Sequence, residues 1–258
     1  PAQSSSFCIS YKECEGRVMN IRVMKFGGTS LRSEVTRKYA YRHILEAGKY
    51  GKVVMVVSAM GRYPDAYATD TLLSMACDSL SKEEKARLVS IGEQVASLKV
   101  CSELLEMGIC AYAMSFMETG ILTDEQYEYA NVLELHKESI IKRLKQYDVV
   151  IVPGFLGVSK QGRITTLGRG GSDFSAVLFA DMLELKEVEI YTDVDGVYDS
   201  DPKLHEFALR YDHLSYDEML NMKSRVLHDR CVEYAKQHHI EIYLKGTFSK
   251  GAGTLISS

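Results

Sequence analysis

The stretch Lys25-Phe26-Gly27-Gly28-Thr29-Ser30 is the first whose residue types suit chemistry. Two adjacent glycines after a strand let backbone amides approach an anion closely, and a helix opening there adds the positive end of its dipole. Lys25 contributes a full charge. The lysine precedes the glycines, so this is not the GxxxxGK[ST] phosphate loop, nor is it a GxGxxG dinucleotide fingerprint. A Gly-Gly turn is also an ordinary tight connection; the cation and the hydroxyls weigh towards an anion site.

A second glycine turn, Leu167-Gly168-Arg169-Gly170-Gly171-Ser172-Asp173, opens another helix. Arg169 can fork a carboxylate there, and Asp173 in the first turn can orient ammonium groups. The alternative is an acidic first turn beside a loop. The third constellation is Tyr191-Thr192-Asp193-Val194-Asp195-Gly196-Val197-Tyr198, continued by Asp199-Ser200-Asp201-Pro202-Lys203. It reads either as a β-hairpin or as a nucleotide site in which Tyr198 flanks a base and Lys203 meets phosphate. In the latter, Mg²⁺ would bridge phosphates, held partly by waters and few carboxylates. Glu93, in Ser90-Ile91-Gly92-Glu93, either recognises an α-ammonium or belongs to a solvated helix face. His238-His239 reads as helix C-terminal capping rather than metal ligation, and no Ser/His/Asp set has supporting motifs.

The elements that must position these groups follow from periodicity. Short apolar strands at Ile21 to Phe26, Val53 to Ser58, Val149 to Val152 and Val188 to Thr192 each run into turn chemistry. Helical patterns lie between them around 31–47, 69–79, 82–106, 126–146, 172–185 and 215–238, the last with a break, and two strand-like stretches end the chain. Alternation of this kind predicts an α/β fold, a sandwich with helices on both faces of a largely parallel sheet. Ligands then collect outside the carboxyl ends of the strands, which nominates the same glycine turns. Without a repeat or a dividing linker, one compact domain with two lobes and an intervening cleft is expected.

The 258 residues are 46% hydrophobic, enough for a sizeable core. A net charge of -4, with 31 basic and 35 acidic residues well mixed, offers nucleic acid or an anionic membrane no basic field, so a small ligand is the expected partner. The six cysteines include no CxxC pair and no Cys/His grouping at metal spacing, which reads as reduced thiols and a cytoplasmic protein. No apolar run approaches the roughly 20 residues of a membrane-spanning helix, and the N-terminus lacks a signal-peptide pattern. Residues 1–18 show no period and Met19 precedes the first strand, so they are expected to be a disordered leader or upstream sequence.

From Ile21 to Ser257 the chain resembles the aspartokinases of the amino-acid kinase family. The resemblance rests on KFGGTS at Lys25, VVSAMG at Val56, Gly92-Glu93, Pro153-Gly154-Phe155, LGRGGSD at Leu167, TDVDGVY at Thr192 with DP at Asp201, and GTLI at Gly253. It implies a three-layer α/β/α sandwich with a mostly parallel central sheet, like that of carbamate kinase, spanning 19–258. The acceptor lobe would cover roughly 19–150 and the nucleotide lobe roughly 151–258. The implied reaction transfers the γ-phosphoryl of ATP to the side-chain carboxylate of L-aspartate, giving 4-phospho-L-aspartate, the first step towards lysine, threonine and methionine. Lys25, Phe26, Gly27 and Gly28 would hold ATP phosphates; Thr192, Asp193, Tyr198, Asp201, Pro202, Lys203 and Arg225 would line the nucleotide pocket. Ser58, Glu93, Arg169, Gly170, Gly171 and Ser172 would bind aspartate. Lys25, Asp173 and Arg225 would be catalytic, Asp173 keeping the catalytic cations in place, with ATP and Mg²⁺ as cofactors and no resident protein-ligated metal. A carboxylate acceptor is already ionised at neutral pH, so no general base is expected.

Two departures from the family pattern stand out. Met222-Lys223-Ser224-Arg225-Val226-Leu227 puts an arginine where the family usually has a nucleotide-contacting lysine, and a guanidinium fork is not equivalent to an ammonium in a tight site. Regulatory ACT domains, which commonly follow the GT-x-I strand, do not follow it here. The resemblance therefore implies an unregulated catalytic protein, a piece of a longer chain, or a subunit regulated by a separate partner, with a homodimer as the family expectation. Alternatives to aspartate kinase are a related kinase on another acidic substrate and a weakly active binding or regulatory subunit.

Overall fold

A computed structural model describes residues 19–200, 204–205, 207–222 and 226–258. The expected leader, 1–18, lies outside the described residues. Along the chain the elements are β1 (Ile21–Phe26), α1 (Gly28–Leu31), α2 (Glu34–Gly48), β2 (Lys52–Val57), α3 (Thr69–Leu73), α4 (Lys82–Glu106), β3 (Ala111–Ala113), β4 (Ile121–Thr123), β5 (Val132–Leu135), α5 (Glu138–Gln146), β6 (Val149–Pro153), β7 (Leu156–Ser159), β8 (Ile164–Thr166), α6 (Gly171–Met182), β9 (Glu187–Thr192), β10 (His213–Ser215), α7 (Tyr216–Asn221), α8 (Asp229–His238), β11 (Glu241–Gly246) and β12 (Thr254–Ser257).

An eight-stranded sheet has the order β10-β12-β11-β9-β1-β2-β6-β3, with β11 and β12 antiparallel and the other neighbours parallel. Strands covered on both faces read as continuous apolar runs, and alternation then shows in which core each side chain enters. Val23, Val54, Val56, Val150 and Val152 face a core built with α5, α6, α7 and α8. Met24, Phe26, Val53, Met55, Val57 and Ile151 face the opposite core, built with α1, α2 and α4. The period of two within single strands makes this a three-layer sandwich, as expected from the sequence.

The order reverses at β1, whose neighbours β2 and β9 are followed by separate groups of strands. In sheets of this kind the crevice outside the strand ends at such a point receives ligands. Lys25 sits there, in register with Val56 on one side and Ile190 on the other.

Several expectations needed revision. The helix expected over 126–146 is α5 alone, preceded by a loop and β5. Asp124 accepts hydrogen bonds from the backbone N–H of Gln126 (3.2 Å) and Asn131 (2.9 Å), and so competes with helix formation. The pattern over 69–79 yields helix only to Leu73, and Ser33, capping α2 through a reciprocal bond with Thr36, separates α1 from α2. A second sheet, β5-β4-β7-β8, was not expected; its strands are three or four residues long, too short to establish a period. Of the stretch 191–203, read as hairpin or nucleotide site, residues 201–203 lie outside the described residues, and Tyr198 forms an antiparallel bridge with Arg210 beyond the stretch.

One buried charge group ties the layer over β1 together. The Arg37 guanidinium of α2 donates to both carboxylate oxygens of Glu103 in α4 at 2.7 and 2.6 Å and to the Leu31 carbonyl at 3.0 Å. Tyr41 also donates to Glu103, at 2.6 Å. Burial alone would raise the Glu103 pKa, but the bonds from Arg37, Tyr41 and Lys99 outweigh it and hold the carboxyl down to about 2. A pKa depressed on folding stabilises above the ordinary carboxylate value and is lost as pH falls towards 2. Glu103→Gln is expected to cost about 3 kcal/mol in urea unfolding at neutral pH, by leaving Arg37 buried without its anion. The deficit should shrink as both proteins are titrated from pH 5 towards pH 2; a deficit constant over that range would contradict this account.

Candidate active site

The carboxyl ends of β1, β2 and β6 open into a cleft of about 490 Å³. Its lining includes Lys25, Gly28, Ser58, Glu93 and the run Arg169-Gly170-Gly171-Ser172-Asp173, residues nominated from four separate sequence stretches. At its floor the Lys25 ammonium lies 2.6 Å from Asp173 Oδ1, both side chains nearly buried. That oxygen receives no directed hydrogen bond, so its compensation is the charge of Lys25. Each charge makes the burial of the other tolerable.

Glycines let these elements approach. A Cβ on Gly28 would lie 2.5 Å from the Ala59 carbonyl oxygen and 2.6 Å from that of Gly61, so the turn after β1 packs directly on the loop after β2. Gly27 has more room; its N–H donates to the Tyr191 carbonyl (3.3 Å), tying the turn to the end of β9. Gly170 caps α6 at φ 70, a left-handed conformation that favours glycine. The Phe26 side chain is wholly buried and stacks on Tyr191 at 4.7 Å, leaving only its backbone near the turn.

Glu93 projects from α4, brought close by Gly92, whose Cβ would meet the Tyr67 carbonyl oxygen at 2.5 Å. It accepts from the Ala59 N–H at 3.1 Å through Oε1, while Oε2 is buried without a hydrogen-bond partner. Burial raises its pKa to about 8, against a counter-effect of the Ala59 N–H. A buried carboxyl with an unmet acceptor on a cleft wall suits a cationic guest. Arg169, exposed at the same cleft, supplies the opposite charge.

A separate depression of about 290 Å³ lies off the ends of β9 and β11, lined by Asp193, Val194, Asp195, Tyr198, Gly246, Phe248 and Ser249. Thr192 donates to Asp193 (3.1 Å) and Tyr198 to Asp195 (2.6 Å), which fixes the loop. Thus the nominated residues divide into two groups on either side of the Gly27-Gly28 turn. Asp201, Pro202, Lys203 and Arg225 lie outside the described residues.

Sequence reading missed Asp70, Lys85 and Glu128 in the cleft, since isolated charges on helices and loops carry no signal. It also passed over Phe155 as a site residue, though Pro153-Gly154-Phe155 was noted; Phe155 lines the cleft at φ 69, held by its N–H to Ser175 Oγ at 2.9 Å. Phe248 and Ser249 were likewise unforeseen. Gly246 after a strand was a usable cue, because a Cβ there would meet Asp195.

Residues 20–246 match the model of the Amino acid kinase family. The chain is 40% identical to Aspartokinase 1 of Bacillus subtilis over 247 residues, covering 93% of this chain and 61% of that protein. Against the aspartokinase of Thermus thermophilus it is likewise 40% identical, covering 92% of this chain and 59% of the other. It spans about three-fifths of the length of these relatives. Among solved structures, aspartate kinase from Synechocystis superposes with a TM-score of 0.80 at 31% identity, covering 93% of this chain and 40% of that one. E. coli aspartokinase III in complex with aspartate and ADP gives 0.78 at 26%, covering 93% and 65%.

The raised pKa of Glu93 has a measurable consequence. The folded protein keeps this proton up to about pH 8, whereas the unfolded chain loses it near 4.5, so the residue makes folding less favourable as pH rises between those values. Glu93→Gln removes that dependence. The melting temperature of the variant minus that of the parent should therefore grow from pH 5 to pH 8; a difference that stays flat or shrinks would refute the buried protonated state.

Proposed function

The chain belongs to the amino acid kinase family, and from that premise we propose that it carries the catalytic machinery of an aspartate kinase. The reaction moves the γ-phosphoryl of ATP to the side-chain carboxylate of L-aspartate, yielding ADP and 4-phospho-L-aspartate. The observation that carries this reading is the pairing of Glu93 and Arg169 on one cleft whose floor is Lys25 and Asp173. An α-ammonium and an α-carboxylate on one guest match that pair of opposite charges, and the guest's remaining carboxylate is the acceptor.

In this reading Glu93 binds the α-ammonium, giving up its proton as the cation arrives. Arg169 receives the α-carboxylate, with Ser58, Gly170, Gly171 and Ser172 alongside. The acceptor carboxylate is ionised at neutral pH and attacks without a base. Lys25 and the amides of Gly28 and Ser172 offset charge on the transferring phosphoryl oxygens. Phosphoryl transfer asks mainly for such positioning and neutralisation.

The nucleotide fits the second depression, its base beside Tyr198 and Phe248 and its phosphates directed to the turn after β1. Asp201, Pro202, Lys203 and Arg225, outside the described residues, are the further nucleotide-binding residues of the proposal. The proposal keeps an acceptor lobe over roughly 19–150 and a nucleotide lobe over roughly 151–258, with β7 and β8 of the second range in one sheet with β4 and β5 of the first. Among the described residues no cluster of three or more His, Cys, Asp or Glu side chains is arranged to hold a metal. A Mg²⁺ ion carried by the phosphates would find Asp173 as the nearby carboxylate, its Oδ1 2.6 Å from the Lys25 ammonium. When bound, the ion would withdraw charge from the phosphates.

Purified protein with Mg-ATP is expected to release ADP when aspartate is added and to remain near background with glutamate, carbamate or a nucleoside monophosphate. Lys25→Ala should lower kcat about 10²- to 10³-fold, as loss of one preorganised donor does. Arg169→Ala should act mainly through the KM for aspartate. Turnover with another acceptor in place of aspartate would overturn the substrate; binding of ATP and aspartate without turnover would overturn the activity in favour of a binding subunit.

A further inference from the structure

The turn that presents Arg169 has little rigidity of its own. Gly168, Gly170 and Gly171 surround the arginine, and Gly168 and Gly170 sit at φ 79 and φ 70. Backbone freedom of this kind has to be removed by neighbours. One side chain gathers the necessary contacts. Arg230, in the first turn of α8, donates through Nη1 to the Leu167 carbonyl at 3.0 Å and through Nη2 to the Ala130 carbonyl at 2.8 Å. Leu167 and Ala130 are wholly buried, so a carbonyl that lost this donor would be left unpaired at a cost. The guanidinium also lies over two rings, 4.8 Å from the centre of Tyr129 and 4.5 Å from that of Phe174.

These four contacts come from three separate pieces of chain: the loop between β4 and β5, the start of the glycine turn, and α6. The glycines complete the fit. A Cβ on Gly168 would lie 2.0 Å from the Tyr129 ring, and one on Gly170 would lie 2.4 Å from Cβ of His228, the residue that caps α8. Arg230 itself lines neither the cleft nor the depression beside Tyr198. We propose that Arg230 is a positioning residue for the acceptor: it fixes the carbonyl that precedes Gly168-Arg169 and so sets where Arg169 meets the α-carboxylate, without touching either substrate. This rests on the reading of the cleft as an aspartate site. Lysine is not equivalent here, because two diverging carbonyls and two ring faces call for a flat, forked cation.

Arg230→Gln should raise the KM for aspartate about tenfold or more, as displacement of a binding group does, with kcat and the KM for ATP within about twofold of the parent. Arg230→Lys should recover part of that loss. Hydrogen exchange supplies a readout without turnover: in Arg230→Gln the amides of residues 168–172 should exchange faster, while those of β1 and β9 keep the parent's protection. An unchanged KM for aspartate would overturn the proposal. So would a parallel decline of kcat, both KM values and protection throughout the sheet, which is the outcome of a merely structural role. If the parent protein does not turn over aspartate, the kinase reading fails, and the exchange measurement still decides whether Arg230 holds the turn.

Discussion

The contact between Lys25 and Asp173 is the constraint around which the molecule is arranged. It joins the end of the central strand β1 to the first turn of α6 across the floor of the cleft. Neither charge could be left alone at that depth without a penalty of several kcal/mol. The two glycine turns that carry these residues are therefore held at one distance, and both line the same cleft. Whatever anion enters that space meets a lysine whose position is already set, so little reorganisation remains to be done on binding.

The rest of the architecture delivers this pair to its place. A parallel sheet covered on both faces needs mostly apolar strands, and β1 supplies Val23, Met24 and Phe26, broken by Arg22 near its start and by Lys25 one residue before its end. There the Lys25 side chain lines the cleft while Phe26 beyond it returns to the core. The small residues around it answer a steric need more than a conformational one at Gly28 and Gly92, where carbonyl oxygens sit in the space a methyl group would occupy. Close approach of loops is what draws Ser58, Glu93 and Arg169 onto one cleft.

Helix α4 links three features that look unrelated along the sequence. Its capping box at Ser81 and Glu84 starts it cleanly, Glu93 faces the cleft, and Glu103 anchors it to Arg37 near the turn after β1. Movement of this helix would shift an acceptor-binding carboxylate relative to the phosphate-binding turn.

Much of this was legible beforehand, for identifiable reasons. The four central strands, α4 and the three-layer class followed from apolar runs ending in turn chemistry, because burial on both faces writes itself into consecutive residues. The glycine turns at Lys25 and Leu167 were visible because glycine and cation at a strand or helix end have few other uses. What the sequence could not determine was which turns share a cavity, the four-stranded second sheet, or the loop that Asp124 imposes where a helix was expected. It also left the hairpin and nucleotide readings of 191–203 side by side. Those outcomes depend on contacts between residues far apart in the chain, such as Lys25 with Asp173 or Tyr198 with Arg210, and on packing that local propensity does not encode. The residue types were chosen by chemistry that can be read in order; their meeting in one cleft was decided by a sheet whose strand order is not the order of the chain.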